Sequence, residues 1–422
     1  MIRQAGSFVC CVLWGSNLFG VGTIVNTQYS VPTPNSQPEG LLYGSDGNIW
    51  FTESGANIIS RMDPATGAMT QFALPGTQNT YPWDLVTGPD GAIWFTDAGG
   101  NFIGRMTTAG TLTNRYPTPT AGSSPRRICV GPDSALWFTE YYGHKIGRIT
   151  TAGQITEYPI PTPNSEPTGI TVGPDQALWF GDIIGNQIVR MTTSGDFTNF
   201  YPFPTPGSYP DQIITGPDGN LWVAENLSNK VGQLNPATGV LTEWVMPTAN
   251  ATPSGITNAP DGALWFTEWA QPVSQIARIT TAGVITEFPD GSANSSPWRI
   301  VPLPNGTIWY TEFYSNQVAN IPVCAVGLKA SYSAGTVTMN FSIGSTQPYT
   351  WTTGLYQNGV LFRQLWSDAL PAESPLKTRT VQVSVSPAAG SITVISGLYE
   401  SNGTAVCTEN AAIDTDDVKS GN

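Results

Sequence analysis

Residues 166–180 read Glu-Pro-Thr-Gly-Ile-Thr-Val-Gly-Pro-Asp-Gln-Ala-Leu-Trp-Phe, and this stretch decides the fold. Gly169-Ile170-Thr171-Val172 is a β-branched strand signal, and Ala177-Leu178-Trp179-Phe180 is a second one. Between them lies a turn in which Pro fixes φ; sister copies such as Gly88-Pro89-Asp90-Gly91 add a Gly that accepts positive φ. Working outward in the neighbouring copy, Lys145-Ile146-Gly147-Arg148-Ile149 is a third strand. Thr150-Thr151-Ala152-Gly153 then turns the chain into a fourth, Ile155-Thr156-Glu157-Tyr158-Pro159. Pro ends these fourth strands, where a missing ladder donor is tolerated.

The unit repeats. Trp50, Trp94, Trp137, Trp179, Trp222, Trp265 and Trp309 recur every 42–44 residues. Four antiparallel strands per repeat of this length describe a propeller blade, and seven tryptophans predict seven blades. No 3.6-residue periodicity appears, which excludes helical solenoids. Fourth strands begin near Ala68, Thr111, Gln154, Asp196, Val240 and Val284, one short of seven. Asn26–Pro34 matches Gln154–Pro161 in pattern, so the N-terminus is expected to supply the outer strand of the last blade, Ile300–Ile321, and to close the ring without a free edge.

The expected organisation is a leader over 1–23, a seven-bladed all-β propeller over 24–322, a small Ig-like β-sandwich over 323–412 and an acidic disordered tail over 413–422. Arg3 and the apolar run Phe8–Trp14 read as a secretory signal, too short for a membrane span. Alternating patterns at Leu328–Tyr332, Thr336–Phe341 and Val381–Val385 give the sandwich. Cys324 and Cys407 bracket it and are expected to pair as a disulfide, which places the chain in an oxidising, extracellular compartment. With 45 Gly and 35 Pro among 422 residues, turns dominate, and 11% charged residues leave little for long amphipathic helices. A net charge of −13 without Lys or Arg clusters excludes nucleic acid as a partner. A monomer is expected.

Pro-x-Gly-Ile, Gly-Pro-Asp-Gly-Ala-Leu-Trp-Phe-Thr-Glu, Ile-Gly-Arg-Ile-Thr-Thr-Ala-Gly and Ile-Thr-Glu-Tyr-Pro-x-Pro-Thr-Pro, spread over residues 26–321, resemble the streptogramin B (virginiamycin B) lyases. The resemblance implies a seven-bladed propeller that opens cyclic streptogramins by magnesium-assisted elimination at an ester. It also implies a histidine base at the x position of the last blade's Pro-x-Gly-Ile, a second histidine one blade earlier and an acid ending the last Trp-Phe strand. Here Glu312 keeps the acid, but Trp298 and Ser254 occupy the two histidine positions and Ser296 replaces the glutamate preceding the last of them. Elimination needs a base of near-neutral pKa for the α-proton, so the family's ordinary chemistry is not expected to carry over.

The acids ending the second strands, Glu53, Asp97, Glu140, Asp182, Glu225, Glu268 and Glu312, occur in every blade. They read either as scaffold, capping loop N–H groups or pairing with blade arginines, or as donors to a hard cation, Mg²⁺ or Ca²⁺, with Glu312 as the metal ligand. Function is sought where blades differ. The two residues after the blade proline are Glu39-Gly40, Trp83-Asp84, Arg126-Arg127, Thr168-Gly169, Asp211-Gln212, Ser254-Gly255 and Trp298-Arg299. They read either as filling of the channel mouth or as a site. As a site, Trp83, Asp84, Arg126, Arg127, Asp211, Trp298 and Arg299, joined by Trp269 and Tyr314 from neighbouring loops, suit a small molecule, glycan or peptide-like ligand with polar edges and an apolar or sugar-ring face. His144, the sole histidine, stands where other blades carry Asn, and reads either as a loop cap or, with Tyr142, as a relocated base. Two functions follow: a secreted ligand-binding propeller lacking the family base, or a divergent carbon–oxygen lyase using His144 or Tyr142, Glu312 and a divalent metal.

Overall fold

The computed structural model describes residues 26–76, 80–270 and 273–322, and the backbone of seven strands between 327 and 413. From Pro38 onward the chain lays down four-stranded antiparallel blades in sequence order. Blade 1 comprises Pro38–Tyr43, Ile49–Glu53, Ile58–Met62 and Met69–Ala73; blades 2 to 6 begin at Pro82, Pro125, Pro167, Pro210 and Pro253. Blade 7 has only Pro297–Pro302, Thr307–Glu312 and Gln317–Pro322 from its own stretch of sequence. Its outer strand is Thr27–Ser30, antiparallel to Gln317–Pro322 with Tyr29 opposite Val318. The expected N-terminal closure is what the structure adopts.

The repeated tryptophan has a mechanical reason. In blade 2 the turn residue Asp90 accepts a hydrogen bond from Trp94 Nε1 at 3.0 Å and holds Arg105 Nε at 2.7 Å. The indole stacks on Tyr116 of the outer strand, with centroids 5.6 Å apart and planes 11° from parallel. Turn, second, third and outer strands are thereby tied around one ring. Blades 3 and 4 repeat the arrangement with Asp133 and Asp175. In blade 7 the stacking partner of Trp309 is Tyr29, at 5.3 Å, so the N-terminal strand supplies the aromatic residue that the other blades carry on their own fourth strand. Arg105, Arg148, Arg190 and Arg278 thus pair with turn aspartates, and not with the acids ending the second strands, while Arg61 of blade 1 donates to the Thr108 carbonyl.

Each tryptophan also packs against the next blade, where it meets a buried aromatic or aliphatic second-strand side chain, such as Trp137 with Phe180 and Leu178. Among the described residues there is one such cluster for each of the seven interfaces. A fully buried Phe or Leu contributes about 1.5–3 kcal/mol, so each interface between blades carries several such contributions. Gly153, in the turn before the outer strand of blade 3, has φ +88°, and an added Cβ would lie 2.0 Å from Tyr116 of blade 2. Only glycine fits that contact.

Beyond the propeller, Gly327–Ser333, Thr336–Ser345 and Ser374–Ser384 form a three-stranded antiparallel sheet. Val360–Leu370, Tyr349–Gln357, Ile392–Tyr399 and Ala405–Ile413 form a four-stranded one in that order. Its last strand runs one residue past the expected boundary. The leader, Cys324 with its expected pairing to Cys407, and residues 414–422 lie outside the described residues. No helix among the described residues is long and apolar enough to cross a membrane.

Candidate functional site

A β-bulge in each first strand places the variable pair. In blade 3, Pro125 pairs with Glu140 but Ile128 pairs with Phe138, so Arg126 and Arg127 together oppose one residue, Thr139. All seven blades show the same shift after their proline. A bulge re-aims side chains and leaves backbone groups unpaired, and a second-strand threonine takes up the slack. Thr52 Oγ1 accepts from Gly40 N at 2.8 Å and donates to the Trp83 carbonyl of the next blade at 3.2 Å. Thr96, Thr267 and Thr311 reach across in the same way. Blade 4 has Gly181 at this position, and Thr168 of the bulge itself donates to the Pro210 carbonyl at 2.5 Å.

Members of the pairs from blades 2, 3, 5 and 7 meet across the bore. Arg127 Nη2 lies 2.8 Å from Asp211 Oδ1, and Arg299 Nη2 lies 2.8 Å from Asp84 Oδ2. These buried pairs join blade 3 to blade 5 and blade 7 to blade 2, bridging non-adjacent blades. Ser254 Oγ donates to Asp211 at 2.5 Å, and Arg299 also bonds Gln212. Burial alone would raise the Asp211 carboxyl, but Arg127, Ser254 and Arg299 hold it below the usual carboxylate range. Burial and the nearby Arg127 charge lower the Arg299 guanidinium to about 10. Beneath this layer is a space of about 150 Å³ between the first strands, lined by Leu41, Leu85, Ile128 and Ile170 among others.

Above the layer the bore widens into a cavity of about 390 Å³. Trp83 and Arg126 stand on one side, Trp269 and Trp298 on the other, with Arg127 and Asp211 also lining it. The Arg126 guanidinium is sandwiched between rings, 4.5 Å from the Trp83 centroid and 3.4 Å from that of Tyr141, whose hydroxyl donates to Glu166 at 2.6 Å. Tyr81 packs on Trp83 at 5.4 Å. Opposite, Trp269 contacts Trp298, Phe313 and Tyr314 with centroids 4.5–5.4 Å apart. Exposed Tyr142, Ile184, Leu227 and Tyr314 ring the mouth over blades 3, 4, 5 and 7, whereas blades 1 and 2 present Ser54-Gly55 and Ala98-Gly99 at the same positions. The rim is therefore notched on one side.

The sequence-derived site residues fall into three groups. Trp83, Arg126, Arg127, Asp211, Trp269 and Trp298 converge on the cavity, and Tyr314 sits on its aromatic wall. Asp84 and Arg299 lie one layer deeper, in the ion-pair plug. Glu312 and His144 do not line the cavity. Glu312 is fully buried, accepting from Ser315 Oγ at 2.6 Å and Gln28 Nε2 at 3.1 Å; burial, opposed by the Ser315 bond, pushes it up to about 7. Other second-strand acids also serve loops and strands: Asp97 accepts from Tyr81 N and Gly100 N, and Glu53 from Gln71 Nε2. Among the described residues, no three or more His, Cys, Asp or Glu gather into a group that could hold a metal ion. His144 has φ +56°, the conformation Asn57, Asn101, Asn186, Asn229 and Asn316 take at this loop position, and its Nδ1 lies 2.6 Å from the Ser165 carbonyl.

Sequence reasoning passed over several neighbours. Glu39, though in the variable pair of blade 1, was not singled out; it accepts from the Tyr81 hydroxyl at 3.0 Å, and burial pushes its carboxyl up to about 8 against the pull of Tyr81 and three arginines. Tyr81 and Tyr209 immediately precede their blade prolines, and Asn226 and Leu227 follow a second strand. Both columns differ between blades, as the pair after proline does, and that difference is the signal in the sequence.

The sequence profile of the virginiamycin B lyase family matches residues 22–201 and 113–333. Virginiamycin B lyase from Staphylococcus aureus is 36% identical over 71% of this chain and 99% of that one, with a TM-score of 0.67. A catalytically inactive histidine-to-alanine variant of that enzyme, solved with quinupristin, is 35% identical over 71% and 99%, with a TM-score of 0.67. The extracellular domain of a hybrid two-component system from B. thetaiotaomicron shares the fold at 13% identity, covering 93% of this chain and 60% of that one, with a TM-score of 0.58. No curated protein matches the sequence.

Proposed function

The chain belongs to the virginiamycin B lyase family, and on that premise we propose that it is a secreted propeller that binds a glycan or peptide-like ligand at the channel mouth without the family's histidine base. The carrying observation is that a cavity of about 390 Å³ is lined at Trp83, Arg126, Asp211 and Trp298 by the positions at which the blades differ most. A feature needed only to close a sevenfold ring would repeat in each blade; these do not. Aromatic faces on two sides and polar groups below suit a ring-bearing ligand with hydrogen-bonding edges. The sole histidine of the chain is His144, whose ring nitrogen faces a backbone carbonyl, and this supports binding without the family's proton abstraction. Glycan and peptide arrays probed with the intact chain test the reading. Specific binding lost in Trp83→Ala and Trp298→Ala is expected; binding that survives both changes places the site elsewhere.

A second reading, elimination at a carbon–oxygen bond, keeps the family's reaction class with a different base. One observation favours it: Glu39, a buried carboxyl behind the cavity lining and bonded to the Tyr81 hydroxyl, is pushed up to about 8 beside Arg126, Arg127 and Arg299, so it can exchange a proton near neutral pH. His144 and Tyr142 remain the alternatives as base. Incubation with ester and acidic-polysaccharide substrates, followed by ultraviolet absorbance of unsaturated products, decides. Glu39→Gln is expected to lower any such kcat by about 10²–10⁴-fold, and an activity indifferent to Glu39 but abolished in His144→Ala assigns the base to His144.

A further inference from the structure

Resting on the binding reading above, we infer that the ligand carries an oxyanion, carboxylate or phosphate, that docks against Arg126 and Arg127 at the base of the aromatic walls. The charges around the bore are unequal. Arg127 is paired with Asp211 and Arg299 with Asp84, both at 2.8 Å. Arg126 has no ion pair and its side chain makes no hydrogen bond among the described residues; it is held over Trp83 and Tyr141 by cation–π contact. The nearby Glu39 carboxyl is kept largely protonated at neutral pH by burial, so this guanidinium beside the cavity has no contact ion pair and is a cation awaiting a partner.

The second observation concerns donors. Trp83 Nε1, Arg126 Nε, Arg127 Nη1 and Trp298 Nε1 are all buried and without an acceptor, and all four side chains line the same cavity. Arg127 is 4% exposed. A buried donor left unpaired costs about 1–3 kcal/mol, and four such donors belong to side chains that line this one cavity. The one carboxylate lining the cavity is spent: Asp211 gives one oxygen to Arg127 and the other to Ser254. Glu39 Oε2 is unpartnered, but Glu39 does not line the cavity. An oxyanion next to a flat or apolar ring satisfies both features, since its oxygens meet several N–H groups while its ring lies against indole. A neutral ligand would leave Arg126 uncompensated.

The test uses three probes of one shape, benzoate, benzamide and phenyl phosphate, titrated into the intact chain while the indole N–H resonances of Trp83 and Trp298 are followed. Benzoate is expected to bind at least about tenfold more tightly than benzamide. That preference should vanish in Arg126→Gln, whose melting temperature is expected to match the wild type, and be partly kept in Arg126→Lys. Phenyl phosphate binding more tightly than benzoate assigns a phosphoryl group, and the reverse assigns a carboxylate. Benzamide binding as well as benzoate overturns the oxyanion while leaving the cavity as a binding site. If no probe moves either indole, both the oxyanion and the cavity reading fall.

Discussion

His144 holds a left-handed backbone conformation in which asparagine is well tolerated and most other residues are strained. Five other blades place asparagine there, and in each the Nδ2 group donates to a backbone carbonyl, as Asn186 does to Thr205 at 2.9 Å. His144→Asn is therefore expected to leave the melting temperature unchanged or raise it, and His144→Ala to lower stability by about 1–2 kcal/mol, measured by denaturant titration. Replacement of Asn by His was legible in the sequence. Which way the ring points was not, because both an inward and a loop-facing imidazole satisfy the same spacing. Arg126 shows the reverse difficulty: the sequence marks it as one of two arginines after a proline, and only the fold shows that Arg127 is paired across the bore while Arg126 is left over.

The N-terminal strand is four residues long, and its aromatic residue completes a stack that every other blade makes within itself. Deleting residues 26–31 is expected to move the whole propeller transition to lower temperature in calorimetry, because it exposes Trp309 and opens the interface between blades 7 and 1. Tyr29→Ala alone should cost about 2 kcal/mol, below the range for a fully buried aromatic because Tyr29 is half-buried. The strand was legible because its pattern matches six others. The second strands carry a pH-dependent term that was not legible. Burial and the neighbouring Glu287 push Glu268 up to about 9 from an ordinary 4.5. The folded state thus binds a proton the unfolded chain releases. Its stability contribution is fully present below about pH 4.5 and is lost as pH rises through about 9. Melting temperature should fall between pH 5 and 9, and Glu268→Gln should flatten that fall and melt above the wild type at pH 9. Sequence showed one acid per blade, but the protonation of each depends first on how deeply it is buried and then on the carboxyls and hydrogen-bond donors around it.

Across the whole molecule, seven similar blades present a dissimilar opening, and the two buried ion pairs set its depth by bridging blade 3 to blade 5 and blade 2 to blade 7. Removing one partner leaves the other buried and unpaired, so Asp211→Ala should destabilise by about 3–5 kcal/mol in denaturant unfolding, and restoring a neutral core with Arg127→Met and Asp211→Leu together should recover much of the loss. Blade number, strand order and ring closure follow from the tryptophan spacing and the match between the two ends of the propeller. The division of the variable pairs into a cavity layer and an ion-pair layer required the bulge geometry, because a regular strand would turn one member of each pair away from the bore. The central claim is that side chains from blades 2, 3, 5, 6 and 7 form one binding opening. Crystals soaked with the ligand that the arrays return should show it between Trp83 and Trp298, above the Arg127–Asp211 pair. Ligand density on the opposite end of the bore, or on the outside of a single blade, would contradict the account.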